Sequence, residues 1–387
     1  MLFNRREFLR NGVAFGAVVA LPRATWAGGA GKEPGSRTLV LIHLNGGNDG
    51  LNTVIPHADP RYRALRPGIG IDAAQVRKLD GSLGLHPALG GFEQLWRKER
   101  LAIVNGVGYP QPDFSHFRAT EIYYTAEPEK SPTYGWLGRA LDLHPVQKPL
   151  RAVALGREKP LCLTCATPGV VTLGDFAEFR VPSDAGKTRE LYEAYAALGG
   201  EREAVARRTL EALEVAGRIA ALRPAGGPFG GPLGDGLRKA LALLQSDLDL
   251  EYIHLSYGGF DTHASQAGTH NALLQQVGNN LGAFQDQIDA AGLGDRVATF
   301  VFSEFGRRPE ENLSGGTDHG SAYPAFVIGK GVRPGFHGTH PSLEDFDGGN
   351  FRFTTDFRRL YAGILRGFLG IDPAPVVGDH APLELFA

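Results

Sequence analysis

Four short apolar runs organise this sequence, and each ends in a polar loop rich in glycine, acid or histidine. They are Thr38 to Leu44, Leu101 to Val107, Glu251 to Ser256 and Val297 to Ser303. Such runs suit strands of a parallel sheet covered on both faces, where side chains have no solvent side to alternate toward. Helical spacing recurs between them. Leu89, Phe92, Leu95 and Trp96 share one face of a helix expected from His86 to Lys98, and Leu274, Val277, Leu281, Phe284 and Ile288 mark another from His270 to Ala290. Asp356 or Thr355 caps a closing helix that turns Phe357, Leu360, Tyr361, Ile364, Leu365 and Phe368 inward. Shorter strands are expected at Arg151 to Leu155, Val170 to Leu173 and Ala325 to Gly329. Strands alternating with helices predict the α/β class with one mostly parallel central sheet.

Open α/β sheets bind ligands outside the carboxyl ends of their strands, and the loops in those places carry suitable chemistry. The first is Asn45-Gly46-Gly47-Asn48-Asp49-Gly50-Leu51-Asn52, with Asp49 as a candidate ligand and a plain Asn-Gly turn as the simpler alternative. The second is Phe114-Ser115-His116-Phe117-Arg118, which opens a helix through Tyr124. Ser115 lies where helix N–H groups favour an anion, although an N-cap is the preferred reading from the residues alone. The third is Tyr257-Gly258-Gly259-Phe260-Asp261-Thr262-His263, and the fourth carries Glu304, Arg307 and the pair Asp318-His319. Asp, Glu and neutral His are natural ligands of zinc-like or manganese-like ions. Any one of these loops is more often structural than functional. Four at one sheet edge imply that acid and imidazole converge there.

The N-terminus reads differently. Asn4-Arg5-Arg6-Glu7-Phe8-Leu9-Arg10, a mild apolar run from Val13 to Leu21, and Ala24-Thr25-Trp26-Ala27 resemble a twin-arginine export signal. Residues 1–27 are then a signal peptide, and 28–387 a single domain with a helical insertion near 183–236. The apolar run is shorter than the roughly 20 residues that a bilayer span needs, so no stable membrane span is expected. A periplasmic or secreted protein follows, with the twin-arginine translocase as its partner during export. The formal net charge of -2 argues against a nucleic-acid partner. Cys162 and Cys165 form a C-x-x-C pair, read as two buried strand residues in preference to a redox centre.

Taken in order, the twin-arginine signal, LNGGNDGLN, SHF, GGFDTH, SEFGR, GGTDHG and DFRRLYAGIL resemble the exported domain-of-unknown-function 1501 family, grouped with the alkaline phosphatase and sulfatase superfamily. The resemblance spans essentially the whole mature chain. It implies a three-layer α/β/α sandwich, alkaline phosphatase-like, with a divalent metal ion (zinc, manganese or calcium) at the carboxyl ends of the strands. It also implies the hydrolysis of a phosphate or sulfate ester, its substrate unknown. Carried over by position, it makes Asp49, Asp261, His263, Glu304, Asp318 and His319 metal ligands or their supports, and Ser115 the nucleophile. Asn45, Asn48 and Arg307 would hold substrate oxygens. Two alignments stay open for the superfamily's late Asp-His pair. It is either Asp318-His319 or Glu304-Phe305, and in the second His319 is the last histidine. The Phe305 substitution and the short Asp-Thr-His spacing motivate a rival expectation, a catalytically degenerate hydrolase fold serving as a periplasmic binding or assembly protein.

Overall fold

The computed structural model describes residues 37–143, 148–179 and 185–387. The stretch expected to be an export signal, residues 1–27, lies outside the described residues. The apolar runs come together in one nine-stranded sheet. Its strands are β1 (Thr38–Leu44), β2 (Leu101–Gly108), β3 (Ala152–Leu155), β4 (Val170–Leu173), β5 (Tyr252–Tyr257), β6 (Val297–Phe302), β7 (Tyr323–Gly329), β8 (Gly335–His337) and β9 (Thr355–Asp356). In space they run β8-β2-β7-β6-β1-β5-β3-β4, with β9 also paired to β2. Every pairing is parallel except the two made by β7, which is antiparallel to β2 and β6. β1 lies between β5 and β6, with Leu39 opposite Tyr252 and Ala298. All seven of its residues are buried, as its apolar run requires.

Alternation along β1 divides the interior into two cores. Val40, Ile42 and Leu44 pack with Phe92 and Leu95 of α2 (Gly90–Arg97), Leu237 and Leu241 of α7 (Gly231–Gln245), and Leu274, Leu281 and Phe284 of α8 (Gln266–Ala290). Leu39 and Leu41 pack on the opposite side with Ile122 of α3 (His116–Thr125), Trp136 and Leu137 of α4 (Trp136–Leu143), and Leu360 and Tyr361 of α9 (Phe357–Gly363). Helices on both faces of a mostly parallel sheet make the expected three-layer α/β/α sandwich. The remaining α-helices among the described residues are α1 (Pro60–Leu65), α5 (Ala185–Ala197), α6 (Gly200–Ala221) and the short α10 (Ala374–Val377), and a π-helical turn, Ile364–Leu369, continues α9. Among the described residues, no helix is long and apolar enough to cross a membrane.

Several boundaries differ from the sequence reading. The helix expected from His86 starts at Gly90, because the His86 ring and carbonyl accept the N–H groups of Ala88 and Leu89 in a preceding turn. Cys162 lies in a 3-10 turn rather than a strand, and both thiols are free. The stretch 224–236 contributes buried Phe229 and Leu233, and α7 begins there at Gly231 with Pro232 in its first turn.

Three histidines are buried at low proton affinity. Burial holds His86 and His270 at about 4 and His254 at about 3. In the unfolded chain each takes its proton near ~6.5. As pH falls below that value the unfolded state binds the extra protons, so stability is lost across the window down to the folded values. Each ring removes about 1.4 kcal/mol per pH unit there. The urea midpoint is expected to fall steeply between about pH 6.5 and 4. A flat midpoint across that interval would contradict the neutral burial of these rings.

Candidate metal centre

The loops after β1, β2, β5 and β6 leave the sheet at one edge, because those strands run in the same direction. The antiparallel β7 begins at that edge, so Asp318 and His319, just before it, are delivered to the same place. His116 opens α3 after β2, and Asp261 and His263 follow β5. Gly46 makes the approach of the first and third loops possible. Its φ is +119°, and a Cβ there would lie 2.4 Å from the Asp261 nitrogen.

Asp261 is the hub. Its Oδ1 lies 2.9 Å from His263 Nε2, 3.1 Å from His319 Nε2 and 2.7 Å from Arg307 Nη2. Its Oδ2 lies 3.4 Å from His116 Nε2. Partial burial would raise the Asp261 carboxyl, but the hydrogen bond and charge of Arg307 outweigh it and hold the group at about 2. His116, Asp261 and His319 each offer one ligand atom, and the three atoms lie within 4.8 Å of one another.

Two of these rings have their other nitrogen committed. His319 Nδ1 lies 2.8 Å from the Phe114 carbonyl and donates to it, which leaves its Nε2 lone pair facing Asp261. His116 Nδ1 lies 2.7 Å from Glu304 Oε1 and donates to that carboxylate. His116 Nε2 is buried and has no hydrogen-bond partner. Imidazoles tied through Nδ1–H to a carboxylate or carbonyl are how proteins orient metal ligands. The hydrogen bond to Glu304 raises the His116 pKa, so this pocket of acid favours positive charge at the ring. His319 goes the other way, because burial lowers its pKa. Phe305 packs against both rings, its centroid 4.8 Å from that of His116 and 4.5 Å from that of His319, while the two imidazoles meet edge-on at 4.6 Å. Phe305, which stands at the ligand-histidine position of one of the two expected alignments, therefore buttresses the two histidines beside it.

Residues 36–381 match the model of the family described as "Protein of unknown function (DUF1501)". The chain belongs to that family. None of the curated proteins matches it. Solved structures similar to it include a protein in the alkaline phosphatase superfamily from Vibrio parahaemolyticus, at 11% identity and a TM-score of 0.43, covering 98% of this chain and 79% of that one. The lipoteichoic acid synthase LtaP from Listeria monocytogenes gives 9% identity and 0.40, covering 89% and 74%. Ps i-CgsB in complex with k-i-k-neocarrahexaose gives 10% and 0.37, covering 79% and 69%.

The other candidates from the sequence have distinct fates. His263 joins the cluster, and its Nδ1 lies 3.5 Å from Asp318 Oδ1. Asp318 is exposed and accepts from Asn312 Nδ2, which lowers its pKa. Asp49, expected as a ligand, is instead buried against Arg66, whose Nη1 and Nη2 reach its two oxygens at 2.7 and 3.1 Å. Glu304 is wholly buried and supports rather than lines the cluster. It accepts from His116, from Gly46 N at 2.8 Å and from His43 Nε2 at 3.0 Å. Burial would raise its pKa, but the bonds from His116 and His43 overcome this and hold it ionised. Asn48 is not free for a substrate oxygen, since its side chain bonds Thr53 and His270. Arg307 is equally engaged, with four backbone carbonyls besides Asp261. Asn45 is exposed, with its backbone bonded to Tyr257 and Phe260. Ser115 occupies the N-cap position of α3, but its side chain makes no cap bond and the residue is exposed. It sits between Phe114 and His116, both of which touch the cluster. Sequence reasoning passed over His116 as a member of this cluster. Its signal was the histidine directly after Ser115, at a helix start that follows a core strand.

Proposed function

We propose that this centre holds a divalent metal ion and that the protein is an exported metal-dependent hydrolase of phosphate or sulfate esters. The convergence of His116 Nε2, His319 Nε2 and Asp261, with both imidazoles pinned through Nδ1–H, carries the reading. Those three side chains would hold the ion, with His263 and Asp318 beside them. Two imidazoles and a carboxylate suit zinc or manganese better than calcium, which prefers oxygen ligands throughout. A bound ion would supply Lewis acidity toward the ester oxygen and a lower pKa for an attacking hydroxyl. Ser115 is the candidate nucleophile. It is exposed beside His116 at the N-terminus of a ten-residue helix, where the dipole favours an anionic ester group. Glu304 orients His116, and Phe305 packs against both rings. The pattern Arg5-Arg6 in residues 1–27 supports the export part of the proposal.

Elemental analysis of protein purified without chelator tests it. Wild type is expected to carry about one equivalent of a transition metal, and His116→Ala and His319→Ala to carry close to none. With the metal identified, a panel of phosphate and sulfate esters should show turnover that Ser115→Ala reduces at least ~100-fold while keeping its metal. Protein that takes up neither zinc nor manganese would overturn the metal reading. Full metal without turnover on any ester would leave a metal-holding binding protein.

A further inference from the structure

A chain of polar groups runs from the centre into the sheet, where apolar side chains would be easier to bury. His43 in β1 and His254 in β5 are almost wholly buried on strands that are mostly apolar. His254 Nε2 lies 3.1 Å from Tyr124 Oη, Tyr124 Oη lies 2.9 Å from His43 Nδ1, and His43 Nε2 lies 3.0 Å from Glu304 Oε2. Glu304 Oε1 then accepts from His116. The His43 ring is held flat on Phe302, with centroids 4.9 Å apart and planes 7° from parallel.

The donors can be assigned one by one. Ionised Glu304 is an acceptor only, so His43 must carry its proton on Nε2. His43 Nδ1 then has only a lone pair, and Tyr124 must donate its hydroxyl hydrogen to it. Tyr124 oxygen in turn accepts from His254 Nε2–H. Every hydrogen bond points toward the carboxylate. The path also closes on itself, because Tyr124 and His116 belong to the same helix, α3. A buried polar group without a partner costs about 1–3 kcal/mol, so a four-membered network in an apolar layer is retained at a risk to stability.

We infer that His254, Tyr124 and His43 form a positioning relay that, through Glu304, fixes the tautomer and orientation of His116 at the centre. The inference deepens the metal reading and rests on it for its effect on affinity. Its structural part, the proton arrangement, can be read in metal-free protein. The relay acts as a unit: one proton placed wrongly at the carboxylate must reverse every bond behind it.

Glu304→Gln is the decisive variant. The amide oxygen would stay with Gly46 N–H and His116 Nδ1–H, which turns the NH₂ toward His43. His43 must then accept at Nε2 and donate from Nδ1, Tyr124 must donate to His254, and His254 must move its proton to Nδ1. Long-range proton–nitrogen correlation spectra of the metal-free proteins read each ring. Wild type is expected to show His43 protonated at Nε2 and His116 at Nδ1, and Glu304→Gln to show His43 protonated at Nδ1. Tyr124→Phe removes one link and keeps the ring. It is expected to leave His43 without its Nδ1 donor and to weaken zinc binding about 10-fold in a chelator competition, the lower end for outer-shell partners.

His43 unchanged in Glu304→Gln would overturn the relay. So would Tyr124→Phe with a lower melting temperature but an unchanged zinc affinity, since that marks a purely structural hydroxyl. Wild type that fails to bind zinc while His43 reverses as stated would overturn the metal reading and support the relay.

Discussion

Asp49→Ala is expected to lower the unfolding free energy by about 3–5 kcal/mol, the range for removing one partner of a buried ion pair. Asp49 and Arg66 are both wholly buried. The guanidinium bonds both oxygens of Asp49, the Arg308 carbonyl at 2.8 Å and the Pro309 carbonyl. Gln266, the first residue of α8, donates to the same carboxylate. One carboxylate thus ties the loop after β1 to the loop after β6 and to the start of α8. Urea unfolding of the variant measures the loss. Wild-type stability combined with lost metal would instead make Asp49 a ligand, as its place in the sequence suggested. Acid should probe the same group. Burial would raise the Asp49 carboxyl, but the charge and hydrogen bonds of Arg66 outweigh it and hold it at about 2, against an ordinary 3.8. Its stabilisation is therefore complete above the ordinary value and lost as pH falls through about 2, below the window in which the buried histidines act.

Arg307→Lys is expected to cost about 3 kcal/mol and to weaken metal binding about 10- to 100-fold. The Arg307 guanidinium donates to Gly47 O at 2.7 Å, Thr317 O at 2.8 Å, Phe260 O at 3.1 Å and Asp261 Oδ1 at 2.7 Å, and also to Gly46 O. These acceptors come from three different loops. A lysine ammonium is a point donor without the planar fork, so it cannot serve acceptors placed around both edges of a guanidinium. At least two buried carbonyls would lose their partner, at about 1–3 kcal/mol each. Asp261 would also lose the contact that sets its orientation. Thermal unfolding and zinc competition on the same preparation check both halves. A change confined to the Michaelis constant, with stability and metal affinity intact, would return Arg307 to the substrate-binding role expected from its sequence.

The sheet was legible because buried strands write themselves in local composition. Thr38–Leu44 and Val297–Phe302 are apolar runs bounded by polar loops, and each became a central strand. The antiparallel direction of Tyr323–Gly329 was not legible, since an apolar run has no direction of its own. Yet that direction returns His319 to the edge where Asp261 and His116 stand.

What the sequence determined by itself was the α/β class, the family and the four loops that carry acid and imidazole, since each depends on residues close together in the chain. The tertiary structure decided the role of each acid. Asp49 meets Arg66 and has its charge paired, whereas Glu304 meets His116, 188 residues away, and accepts its Nδ1–H. Asp261 is left half-exposed among three histidines. A carboxylate's chemistry is set by the partners that fold against it, through desolvation, charge and hydrogen bonds. Those partners come from distant segments, so local spacing names the candidates and long-range packing selects among them.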